Sequence, residues 1–270
     1  MRITPWSLVP LCAAIAFLFC LSAVAALEIR LVYVGSTDES AWLGVMQGQH
    51  EANIQGQFLD QTYTVEAMTP EALSQSEVPA AAIIAAGDAS ALQSLSAAVP
   101  GGVVVFNVTA DDDALRQACA TNLLHVPPSS AMKADAVAQW LQKNPDASVE
   151  AWAWHPKFVK YAARDLNKRF LRVQGVAMDD NAWAGWAAVR MVAEAVIRTQ
   201  STDSANLLEF MKSEIAFDGQ KGVPHTFRDT GQLRQRLLIV EGGKLAGEAP
   251  VRGVADTTNL DSLGVPSCQR

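Results

Sequence analysis

Apolar positions along the first half of the chain alternate between two spacings. Leu27 to Gly35 is a near-continuous apolar run ending in a glycine, which predicts a buried strand and a turn. Trp42, Met46, His50, Ile54 and Phe58 then recur every fourth residue and predict a helix with one apolar stripe. Thr62–Glu66 predicts a second strand. Ala80–Ala85 predicts a third, ending at Gly87-Asp88 and followed by a helix over Ala89–Ala98. Gly101-Gly102 opens a fourth over Val103–Phe106. Strands this apolar, separated by helices, predict an α/β three-layer sandwich around a mostly parallel sheet covered on both faces. In such sheets ligands bind along the strand-to-helix edge. Its loops here are Gly35-Ser36-Thr37, Gly87-Asp88-Ala89-Ser90 and Asn107-Val108-Thr109-Ala110-Asp111.

The second half has a different pattern. Ser130–Lys143 predicts a helix capped by Ser129 or Ser130 and ended by Asn144-Pro145-Asp146, with a strand over Val149–Trp154 after it. His155–Phe170 predicts a helix with Phe158, Ala162 and Leu166 on one face and Lys157, Lys160, Arg164 and Lys168 on the other. The basic face reads most simply as solvated. One of Trp152 and Trp154 is expected to be exposed as a partner surface. Asp179–Thr199 predicts a long helix burying Trp183, Trp186, Val189, Ala193 and Val196, and Ser204–Ser213 a shorter one. The tail alternates β-rich pieces, Val223–Phe227 and Leu237–Val240, with a turn at Glu241-Gly242-Gly243.

The first residues change the picture. Met1-Arg2 supplies a positive charge, Leu8 to Leu21 an apolar run, and Ala23 and Ala25 small residues before a cut after Ala25. Together these predict a cleavable secretory signal peptide over residues 1–25. The alternative, a membrane anchor, needs about 20 apolar residues. No later stretch meets that requirement, so no membrane span is expected after cleavage. Removing 25 of 270 residues leaves 245, one large domain or two small ones. Loss of Arg2 takes the net charge from −7 to −8. That balance argues against nucleic acid and anionic membrane surfaces as partners. Four cysteines become two, Cys119 and Cys268, and an even count in an oxidising compartment makes a disulfide the default over two free thiols.

Chemistry-bearing motifs are sparse. The chain has no G-x-S-x-G, H-E-x-x-H, P-loop or G-x-G-x-x-G pattern, and its four histidines stand singly. His50 is expected at the core or its boundary. Asp111-Asp112-Asp113 could suggest a calcium loop, but adjacent carboxylates lack the alternate spacing such a loop needs. They fit a helix cap and first turn instead. Neither an enzyme, a metal site nor a cofactor has a motif behind it.

A resemblance enters in the C-terminal half. Trp154-His155-Pro156, Asp165-Leu166-Asn167-Lys168-Arg169-Phe170 and Trp183-Ala184-Gly185-Trp186-Ala187-Ala188-Val189-Arg190 resemble one segment of the type I periplasmic solute-binding proteins, the branched-chain amino acid class of ABC importers. Phe217-Asp218-Gly219, Gly222-Val223-Pro224, Phe227 and Gly231-Gln232-Leu233-Arg234 resemble the glycine-turn segment that follows. The subgroup associated with PQQ-dependent alcohol dehydrogenase systems is the most similar. The stretch Gly48–Thr64 resembles it too, and cysteines placed as Cys119 and Cys268 fit it.

The resemblance implies a periplasmic location, a small-molecule ligand, an ABC permease as partner, and a link to a quinoprotein dehydrogenase. It implies one lobe of a type I fold plus remnants of the second, because the strands and helices expected between Lys143 and Val149 are absent from the sequence. The domain reading is therefore a signal peptide, 1–25, and a single α/β domain, 26–270. Its first lobe would be 26–125 and 149–215, and its second-lobe remnants 126–148 and 216–270. The positions matching the family's ligand loops are Gly87, Asp88, Ser90, Asn107, Thr109 and Asp111, which read equally as turn and cap residues. The implied function is a substrate-binding-like component of an ABC system linked to PQQ-dependent alcohol oxidation. The alternative is a one-lobed accessory protein that binds the dehydrogenase.

Overall fold

The computed structural model describes residues 26–76, 79–265 and 267–268. The signal-peptide segment lies outside the described residues. Five strands form the larger sheet: β1 (Leu27–Val34), β2 (Gln61–Ala67), β3 (Ala82–Ala85), β4 (Val105–Asn107) and β5 (Leu123–His125). Their order is β2-β1-β3-β4-β5 and every pairing is parallel. Successive strand residues supply opposite faces. Ile29, Leu31, Tyr33, Ala82, Ile84 and Phe106 enter one core, and Val32, Val34, Ile83, Ala85 and Val105 enter the other. Burial on both faces is why these strands read as unbroken apolar runs.

The first core is covered by α1 (Ser40–Gly56), α6 (Ala163–Gln174), α7 (Asp180–Thr199) and α8 (Ser204–Ser213). The second is covered by α3 (Ala89–Ala98), with the short α2 (Pro70–Ser74) and α4 (Asp113–Gln117) on the same side. The sheet is thus the middle of three layers. α1 and α7 approach closely because small residues face each other: a Cβ on Gly44 would strike the backbone of Ala182, and one on Gly185 the backbone of Ala41.

A second sheet is antiparallel, in the order β6-β7-β8, from β6 (Val149–Trp152), β7 (Leu237–Glu241) and β8 (Lys244–Ala249). Gly242 and Gly243, both with positive φ, make the tight turn between β7 and β8. Helix α5 (Ser130–Leu141) covers this sheet with Met132 and Ala136 packed against Ala151, Leu237, Ile239 and Ala249. The strand after residue 148, which the resemblance assigns to the first lobe, therefore belongs to the second sheet: Val149 pairs with Glu241 and Trp152 with Leu238. Cys119 and Cys268 are joined by a disulfide with their Cα atoms 6.2 Å apart, across 149 residues of sequence.

Other departures are local. The helix expected from His155 begins only at Ala163, because Tyr161 and Ala162 take left-handed backbone (φ 53° and 67°). Lys157 and Lys160 consequently leave the basic helix face, and Lys160 pairs with Glu248. Val223–Phe227 forms isolated bridges, Phe217 with His225 and Phe227 with Leu233, in place of a strand. His50 is exposed. Of the two tryptophans, Trp154 is wholly buried and Trp152 half-buried. No helix among the described residues is long and apolar enough to cross a membrane.

Candidate functional site

The strand order reverses between β1 and β3, and the crevice beyond their C-terminal ends is where sheets of this kind take ligands. The six expected residues stand along that edge, and most of their polar atoms are already used. The Thr109 hydroxyl accepts from the Gly87 amide and donates to the Gly87 carbonyl, both at 2.9 Å. Asp88 caps α3 by accepting from the Ala91 amide at 2.8 Å. Buried Asn107 accepts from the amides of Thr109 and Ala110 and donates to the Ala110 carbonyl. Its Nδ2 also lies 3.2 Å from His125 Nδ1. Burial, then the charge of Arg116, hold the His125 imidazole well below its usual pKa. Ser90 is exposed at the start of α3. Gly87, Asn107 and Thr109 are thus brought together as a turn lock, with Asp88 and Ser90 beside it.

Asp111 connects this edge to a cavity. Its carboxylate accepts from Lys133 Nζ at 2.8 Å. Burial alone would raise its pKa, but the hydrogen bond and charge of Lys133 outweigh that and hold it low. Lys133 sits on α5 and lines a cavity of about 660 Å³ between α5, β6 and the N-terminal end of α7. The wall includes Val137, Glu150, Trp152, Asp179 and Asp180. Trp152 Nε1 donates to Glu150 at 2.8 Å, and Asp179 caps α7 by accepting from the Ala182 amide. Neighbouring Asp113 does not bind alongside Asp111; it accepts from the Ala131 amide in the first turn of α5.

Behind the cavity lies a buried charged group. The Asp180 carboxylate accepts from the Ala153 and Trp154 amides at 3.0 and 2.7 Å. Burial raises its pKa, against the pull of those bonds and of Lys221. Lys221, fully buried, donates to Gln235 Oε1 at 2.7 Å and to the Arg236 carbonyl at 3.2 Å, 3.8 Å from the ring centre of Trp183. Burial pushes the Lys221 ammonium down to about 7, with Asp180 opposing the shift.

Lys133, Glu150, Asp179 and Asp180 were not legible in the sequence as one site, since they come from three separate segments. Only Asp179 carried a local signal, as the first residue of the expected helix, and in the structure it caps that helix. Nothing around Lys221 marked it as buried.

No protein-family model matches the chain, and no curated protein matches its sequence. Solved structures do match its fold. An ABC transporter substrate-binding protein from Desulfitobacterium hafniense superposes with a TM-score of 0.68 at 13% identity, over 82% of this chain and 99% of that one. A branched-chain amino acid ABC transporter periplasmic ligand-binding protein from Burkholderia xenovorans gives 0.69 at 11% identity, over 82% and 95%. The branched-chain amino acid transporter substrate-binding protein of Streptococcus pneumoniae, solved with isoleucine, gives 0.64 at 9% identity, over 83% and 99%. The chain thus has the fold of the substrate-binding proteins of branched-chain amino acid ABC transporters.

Proposed function

We propose that the protein is a periplasmic substrate-binding-like component of an ABC import system, exported on residues 1–25 and working by binding, without catalysis. Its ligand occupies the cavity between α5, β6 and the start of α7, and its partner is an ABC permease. The observation that carries this reading is the position of the cavity. It is joined to the strand-edge loop after β4 by the Asp111–Lys133 pair, and its volume of about 660 Å³ suits a small ligand. Gly87, Asp88, Ser90, Asn107, Thr109 and Asp111 form the first-lobe side of the site. Ser90 and the unused carboxylate lone pairs of Asp88 and Asp111 are its available polar groups. The type I fold of the first sheet supports the assignment, and structural neighbours hold leucine, isoleucine or 3,4-dihydroxybenzoic acid.

The division of residues 26–270 into one lobe and a reduced second belongs to the same proposal, as does the link to PQQ-dependent alcohol oxidation. That link rests on the Trp154-to-Arg190 segment, whose residues here are scaffold. Trp154 Nε1 donates to Asn167 at 2.8 Å, its ring stacks on Trp183, and Arg169 pairs with Glu51. A second reading, an accessory protein for a quinoprotein dehydrogenase, is favoured by how fully the turn lock consumes its own polar groups.

A thermal-shift screen of the signal-cleaved, oxidised protein separates the two. The panel is amino acids, short peptides, alcohols, aldehydes, carboxylates and the quinone cofactor. A ligand at 100 times its Kd adds about 2.7 kcal/mol and raises the midpoint by several degrees. We expect such a shift from at least one class, reduced in Trp152→Ala. A flat response across the panel removes the solute-binding reading in favour of the accessory one.

A further inference from the structure

All four residues of β6 line the cleft, although successive side chains of a strand point to opposite faces. A cavity that touches both faces of a strand runs along its edge. β6 is the outer strand of its sheet, so every second residue aims its N–H and C=O away from β7 and into that cavity. The far end of the edge is closed, because the Asp180 carboxylate already takes the amides of Ala153 and Trp154. Ala134 and Val137 of α5 give the groove an apolar side, and Trp152 adds a half-exposed ring. Its charges are unbalanced. The exposed carboxylates of Glu150 and Asp179 face a single cation, Lys133, which Asp111 already neutralises.

We infer that the ligand of this cleft is a short, positively charged free peptide, which binds in extended form as a fourth strand on the outer edge of β6. The inference rests on the binding function proposed above and names its ligand class. Four strand residues span about 13 Å, room for about four residues of a paired peptide. Running antiparallel, the peptide places its terminal ammonium at the Trp152 end, next to the exposed carboxylate of Asp179. Its alternate side chains meet Ala134 and Val137. Main-chain hydrogen bonds then supply affinity and the acidic lining selects charge. A single amino acid reaches only part of the edge. A second copy of this chain is a poor occupant, because self-pairing brings together two edges that each carry the exposed acids Glu150 and Asp179, and like charges repel.

Calorimetric titration of the signal-cleaved, oxidised protein with the tetrapeptide Lys-Val-Lys-Val, amidated at its C-terminus, tests this. Saturable one-to-one binding is expected. Methylating alternate backbone nitrogens, which leaves charge and side chains in place, is expected to weaken it at least about tenfold, as is acetylating the terminal amine. Ala134→Arg fills the groove from an exposed helix position and is expected to abolish binding. Asp179→Asn keeps the α7 cap and is expected to weaken binding about tenfold.

Equal binding of the methylated peptide overturns strand addition. Binding only when the four residues lie inside a longer, end-blocked segment also overturns it, and assigns the edge to a partner's chain. So does a concentration-dependent dimer in sedimentation that Ala134→Arg dissolves, since a second copy then holds the edge. Amino acids or organic acids that bind while the peptide does not sink this inference and leave the solute-binding function standing. No binding from any probe removes both.

Discussion

Lys221 and Asp180 carry the most unusual chemistry at the scale of single residues. The Trp183 ring lies under the Lys221 ammonium, stacked on Trp154 at 6.0 Å and 11° and with its edge toward His225. The Lys221 ammonium meets only acceptors and a π face, yet burial still lowers its affinity for a proton to a pKa of about 7. An unfolded lysine titrates near 10.4. Between these values the unfolded chain binds more protons than the folded one, so stability rises with pH across that window. We expect the urea midpoint to increase from pH 7 to pH 9 in the native protein and to stay level over that range in Lys221→Met. An equal rise in both would show that Lys221 is not its source. The turn lock makes the same point about side-chain economy. Asn107 and Thr109 stand where ligand-binding residues were expected, but their polar atoms close the chain on itself.

Small residues set the geometry at the scale of elements. α1 and α7 touch backbone to backbone through Gly44, Gly48 and Gly185, which draws the N-terminal end of α7 to the mouth of the cleft. Gly185→Ala gains about 1 kcal/mol of helix propensity on an exposed helix. Here its Cβ meets the Ala41 carbonyl oxygen and the Val45 amide, and rigid backbone cannot give way. We expect a net loss of about 1–3 kcal/mol in denaturant unfolding. A neutral or stabilising result would mean the helices can separate without loss. The late start of α6 belongs to this scale as well. The residues from Pro156 to Leu166 keep helical spacing of apolar positions, but Tyr161 and Ala162 take left-handed backbone, with the Tyr161 ring packed against distant Gly222.

For the molecule as a whole, the disulfide ties the end of the chain to the loop after α4 and closes 149 residues. Opening a loop of that size is expected to cost about 3–5 kcal/mol, chiefly through the unfolded chain. Cys268→Ser should therefore lower the thermal midpoint by several degrees, and an unchanged midpoint would show that the bridge adds nothing.

The layered α/β architecture was readable along the chain because it depends on local pattern. Apolar runs of strand length set among helical stripes can be buried only as a covered parallel sheet, and Leu27–Val34, Ala89–Ala98 and Ser204–Ser213 needed no distant partner to declare themselves. The cysteine pair and the strand-edge loops were equally plain, since each follows from count or order. Three features depended on contacts between remote segments. β6 joined β7 and β8 because its partners lie almost ninety residues further on. Lys221 and Asp180 were buried by residues that no neighbour in sequence announces. The cleft itself exists only where α5, the free edge of β6 and the cap of α7 converge. Periodicity records which face of an element avoids water, and it carries no information about which other element will cover that face.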